Sequence, residues 1–105
     1  MTTSATLSDE VDVVLRPSED DVAIGGELAL QHRLERVLDS RPARLVVDLS
    51  AVRFLDAPGL RVLMDARHTA VGQGTELRLE HCSEEVLRLL DAVGEVEHLG
   101  ATARA

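Results

Sequence analysis

Aromatic residues are almost missing from this 105-residue chain: it has no Trp, no Tyr and a single Phe, Phe54. The core therefore has to be aliphatic, built from Leu, Val and Ala, and the base stacking on which single-stranded nucleic-acid binding relies is closed to it. Lysine is missing as well. All 11 basic residues are Arg, and against 19 acidic residues they leave a formal charge of −8. That balance repels nucleic acid and anionic lipid and favours a basic or mixed protein surface as partner. One cysteine, Cys82, excludes an internal disulfide and fits a reducing compartment. No apolar run approaches the roughly 18 residues a transmembrane helix needs, and residues 1–9 are polar and Thr/Ser-rich where a signal peptide would be apolar. The expected location is the cytoplasm, with no direct membrane insertion.

Motifs for chemistry are equally scarce. His32, His68, His81 and His98 with Cys82 show no ligand spacing such as Cys-x-x-Cys or His-x-x-x-His, so no metal is expected. Gly25-Gly26 and Gly72-Gln73-Gly74 lack the Lys-Ser/Thr of a phosphate-binding loop and the full dinucleotide fingerprint. No nucleophile, base and oxyanion donor can be named together, so neither an enzyme nor a cofactor is expected.

What is present is the patterning of one α/β domain, expected over residues 10–100 between a loose leader at 1–9 and a short frayed tail at 101–105. Residues 11–16 and 21–25 read as two antiparallel strands around the turn formers Pro17-Ser18-Glu19-Asp20. Leu30, Leu34, Val37 and Leu38 then recur at helical spacing, in a helix ending near Ser40 before Pro42. Residues 45–49 form a central buried strand. A second helix is predicted to turn Leu60, Leu63, Met64, Ala70 and Val71 inward, with Arg61, Asp65 and Arg67 outward, and to stop at Gly72-Gln73-Gly74. Residues 76–80 alternate as a strand, and Ser83 caps a third helix that buries Val86, Leu89, Leu90 and Val93 and ends at Gly94. Residues 96–99 are expected to supply a last short strand. The order is ββαβαβαβ: a mixed sheet of about five strands packed by three helices.

The run from Val46 to Leu60 concentrates the functional signal. A buried strand, a tight loop and a helix start follow in succession, with Asp56 as cap, Pro58 in the first turn and Gly59 as a packing residue. Such a helix N-terminus suits an anion or a docking partner. Asp48-Leu49-Ser50, Phe54-Leu55-Asp56 and Gly59 stand in the register of the signature of the STAS domain, the family of bacterial anti-sigma factor antagonists, and Gly26-Glu27-Leu28 matches a second family element. On these residues the chain resembles a STAS domain over about residues 11–99.

The resemblance implies a non-catalytic regulatory binding module that captures an anti-sigma factor or a histidine-kinase-like serine kinase and so influences transcription, with any ATP or ADP held by the kinase. It implies a partner surface of Asp56, Ala57, Pro58, Gly59, Leu60 and Arg61, with Glu27 from the neighbouring loop. The chain departs from the pattern in two places. Ala57-Pro58 stands where the family carries Ser followed by a phosphorylatable Ser or Thr, and Ala29 replaces an Asp. Pro58 has no hydroxyl, so the usual charge-adding switch is not available there. Ser50, the nearest hydroxyl, reads first as a turn cap. Two other roles fit a stand-alone domain of this kind: an accessory subunit of a lipid-transport ABC complex, and a scaffold component of a stress-sensing assembly.

Overall fold

Among the described residues three strands, 32 residues apart in register, make the sheet. Asp12 stands opposite Arg44, and Arg44 opposite Glu76. The computed structural model describes residues 12–22 and 25–104. Within them β1 (Asp12–Leu15), β2 (Arg44–Asp48) and β3 (Glu76–Glu80) lie side by side, all parallel. Parallel neighbours need long crossovers. The first contains α1 (Glu19–Val22) and α2 (Glu27–Asp39), the second contains α3 (Ala57–Gln73), and α4 (Glu84–Ala92) follows β3.

Alternation along the strands sets the core. Leu15, Val47 and Leu79 form one lateral row and Leu45 with Leu77 another, all buried. Leu30, Leu34 and Leu38 recur every fourth residue on α2 and join Leu60, Leu63, Ala66 and Ala70 of α3 in the same cluster, as a helical stripe on a sheet requires. α2 packs along α3, and α1 touches both. At the far end, Gln73 donates to the Leu38 carbonyl at 2.8 Å and Thr75 to the Pro42 carbonyl at 2.7 Å, tying the two crossovers together.

The single α/β domain, the helix ending at Asp39, the central strand, the strand at 76–80 and the Ser83 cap are as the sequence implies. Among the described residues, however, the sheet has three parallel strands where a mixed sheet of about five was expected, and four helices where three were expected. The expected strand at 21–25 is the main departure: Glu19–Val22 is a helical turn, and 23–24 lie outside the described residues. Ser18 and Asp21 cap that turn reciprocally, Ser18 N–H to Asp21 Oδ2 at 2.7 Å and Asp21 N–H to Ser18 Oγ at 3.3 Å. Residues 96–99 are turn, not strand, because Leu99 N–H reaches back to the Glu95 carbonyl and Ala101 N–H to that of Val96. The strand-like piece comes later. Thr102 N–H bonds to Leu79 O, Cys82 N–H to Thr102 O and Arg104 N–H to Cys82 O, so residues 102–104 continue along the edge of β3 and its extension. On α3 the stripe runs through Val62, Leu63, Ala66 and Ala70; Met64 and Val71, predicted inward, are exposed, as is Val93 after α4. The leader at 1–9 lies outside the described residues.

Candidate functional site

The loop between β2 and α3 is held by its backbone on every side. Asp48 begins it with an Asx turn, its Oδ1 accepting Ser50 N–H at 2.8 Å while Oδ2 receives Arg16 Nε at 3.0 Å. Leu49 N–H goes to the Glu80 carbonyl and Val52 N–H to that of Leu49. The N–H groups of Arg53 and Phe54 both go to Oε1 of Glu19, on α1. The Arg53 carbonyl accepts the hydroxyl of Ser83, whose oxygen also accepts Val86 N–H to cap α4. On the other side Arg104 donates from Nη2 to the carbonyls of Leu49, Ser50 and Val52, at 3.2, 3.0 and 2.8 Å, and from Nε to His81 O at 3.1 Å. These bonds come from four separate segments, so the loop's backbone is anchored by side chains where strand pairing has ended.

Asp48 is buried, and burial alone would raise its pKa. The N–H and hydroxyl of Ser50 and the Arg16 guanidinium more than reverse this and hold it at about 2. Its carboxylate is therefore a fixed structural anion that ties β1 to the loop.

At the start of α3, Asp56 is the N-cap, accepting Gly59 N–H at 3.0 Å, while Leu60 N–H takes the Asp56 carbonyl. Pro58 has no N–H to give. Among the described residues only Ala57 N–H remains of the donors in this turn, so the anion site expected from a bare helix N-terminus is largely used up by the helix's own cap. Gly59 and Leu60 are buried, Asp56 and Pro58 half-buried, and Ala57 and Arg61 exposed. Phe54 precedes them, 57% exposed, with the Arg53 guanidinium 5.4 Å from its ring centre.

Single-turn α1 brings the two expected loops to one place. A Cβ on Gly59 would stand 2.7 Å from the Val22 carbonyl oxygen, and one on Gly26 2.0 Å from that of Asp20. Only glycine allows both helices to start this close to α1. Glu27, the expected contact from the first loop, is half-buried and accepts Gly25 N–H at 2.8 Å, and Leu28 beside it is exposed.

A cleft of about 500 Å3 opens beside the β2–α3 loop, lined among others by Ser50, Arg53, Glu84, Glu85 and Arg104. Cys82 lies at its floor, buried, its thiol pushed up to about 11 by burial against the opposing pull of the Thr102 backbone contact and Arg104. Among the described residues no three His, Cys, Asp or Glu side chains are grouped to hold a metal ion, and no helix is long and apolar enough to cross a membrane.

The family model for the STAS domain matches residues 4–103. The chain belongs to the STAS domain family. It is 38% identical over 58 residues to a STAS-domain-containing protein of Pseudomonas aeruginosa, an alignment covering 55% of this chain and 56% of that relative. The chain thus spans little more than half the length of the curated relative it matches. In fold it is similar to a crystal structure described as a sulfate transporter family protein from Wolinella succinogenes, with a TM-score of 0.69, 23% identity, and coverage of 85% of this chain and 71% of that one. STAS domains are regulatory and protein-interaction modules, and this STAS domain places its Asp56, Ala57, Pro58 and Arg61 together at one corner, beside Phe54. Sequence reasoning missed Glu19, Ser83 as a loop anchor, and Arg104. Their signals are an acidic residue in a Ser-x-x-Asp capping box, a cap serine, and one Arg within a run of small residues.

Proposed function

We propose that this STAS domain is a non-catalytic protein-binding module of the anti-sigma factor antagonist kind. It captures an anti-sigma factor or a histidine-kinase-like serine kinase through the corner formed by Phe54, Ala57, Pro58 and Arg61, with Glu27 and Leu28 at its margin. The observation that carries this reading is the exposed Phe54 on a backbone-clamped loop. Phe54 is the chain's single aromatic residue, aromatic residues are enriched among interface anchors, and one carried on a held backbone binds with less further loss of backbone freedom. The mixed character of the corner, an aromatic ring with the Arg53 guanidinium over it, a proline and Arg61, with Glu27 at the margin, suits a mixed partner surface of apolar and charged groups.

Regulation differs from the family's usual form. Position 58 lies within the first turn of α3, where an added phosphate would place about −1.5 to −2 charges on the docking corner. Proline cannot accept it. Docking through this corner is therefore constitutive at position 58, set by the abundance of the two proteins.

The test is affinity capture from the source cell with the wild-type chain and Pro58→Ser, with and without ATP, reading partners by mass spectrometry. A histidine-kinase-like anti-sigma factor recovered by both, and released by ATP from the variant only, supports the proposal. Recovery of transporter subunits, or of a high-mass assembly without a kinase-like protein, replaces it with an accessory-subunit or scaffold role.

A further inference from the structure

We infer that Arg104 is a positioning residue for the docking loop, coupling the order of the segment after Gly100 to the presentation of Phe54. The inference rests on the docking reading for its functional consequence, but its physical test needs no partner.

The argument starts from the loop's own electrostatics. The turn closed by Val52 N–H on Leu49 O brings the carbonyls of Leu49, Ser50 and Val52 to within 3.2 Å of a single nitrogen of Arg104. Three converging carbonyl oxygens repel one another, and a cation at their focus turns that repulsion into attraction. Glu19 acts with opposite charge from the opposite side, gripping the N–H groups of Arg53 and Phe54. The loop's backbone is thus held between a cation on its carbonyl side and an anion on its N–H side. Each comes from a segment 34 or more residues away.

Arginine suits the first position for a geometric reason. Its planar fork lets Nε hold His81 O while Nη2 reaches the loop, and a lysine ammonium has one nitrogen for both tasks. Arg104 N–H also bonds to Cys82 O, and Thr102 bridges Leu79 and Cys82 on either side. Lifting the segment therefore frees the loop carbonyls and uncovers Cys82 in one motion.

The experiment compares amide hydrogen exchange by NMR in the full chain for the wild type, Arg104→Ala and Arg104→Lys. Exchange at Val52, Cys82 and Thr102 is expected to quicken about tenfold in Arg104→Ala and by less in Arg104→Lys, with Ala66 and Ala70 in α3 unchanged. Modification of Cys82 by a soluble disulfide reagent, in the absence of denaturant, should quicken by a similar factor. Unchanged exchange at Val52 overturns the inference. So does an equal rise at Ala66, which would mean general destabilisation in place of positioning. If wild-type capture of a kinase-like partner fails while Val52 responds as expected, the docking reading falls and Arg104's role in ordering the loop stands.

Discussion

Gly59 and the Val22 carbonyl lie so close that a methyl group on the glycine would sit 2.7 Å from that oxygen. The obstacle is backbone, so it cannot swing aside, and the start of α3 would have to move off α1. Gly59→Ala is expected to cost about 1–3 kcal/mol, seen as a lower urea midpoint at unchanged slope. A midpoint equal to wild type would show that the two segments separate freely.

Asp56 is bound to the same turn. Asp56→Ala removes the acceptor for Gly59 N–H and should lower stability by about 1 kcal/mol, with Asp56→Asn retaining most of it. Thermal unfolding of the three proteins side by side checks the order.

On the proposed docking reading, a change at Phe54 separates docking from folding. It is 57% exposed, so Phe54→Ser should change stability by no more than about 0.5 kcal/mol while abolishing capture of the partner. Retained capture with a normal melting curve would move the docking surface elsewhere.

Asp48 gives an acid limb to the stability profile. Its folded pKa is about 2 against an ordinary 3.8, so the folded state prefers the charged form. Its stabilisation is fully present above pH 3.8 and is lost as pH falls through 2. With a partner as exposed as Arg16, the contribution is about 1–2 kcal/mol. Asp48→Asn should flatten the fall in stability across that interval in urea titrations from pH 5 to 2.

Cys82 gives the alkaline limb. Its folded pKa is about 11 against 9.0, so folding favours the neutral thiol. That stabilisation is complete below pH 9 and is lost as pH rises through 11. Cys82→Ala should remove this slope, while costing some packing at neutral pH.

The parts of the fold that could be read in advance are those where a single residue type carries a local instruction. Ser83 before two glutamates is a local helix-cap signal, and Leu77 and Leu79 between charged residues alternate as a half-buried strand does. The segment at 18–21 held an equally local instruction, the reciprocal Ser18 and Asp21 cap, but it was masked by the turn formers beside it. On α3 the difficulty was different. Ala66, flanked by Asp65 and Arg67, carries almost no hydrophobic signal, yet it belongs to the buried stripe and rotates the helix enough to leave Met64 and Val71 in water. The capped start of α3 was legible from Asp56, Pro58 and Gly59. Glu19 and Arg104, which hold the loop before it, were not, because a side chain that bonds to backbone 34 or 52 positions away leaves no periodicity behind.

The constant 32-residue offset between strand partners also sets the order in which the molecule can assemble. Among the described strands no hairpin exists to zip, so every rung closes a large loop whose entropy is lost before the contact stabilises anything. During synthesis β2 must wait for β3 to find its second neighbour, and the carbonyls of residues 49–52 wait longer still, until residue 104 has cleared the ribosome. The loop backbone that carries Phe54 is thus among the last parts of the domain to set. A nascent chain therefore holds Phe54 in its final geometry only once the domain is whole.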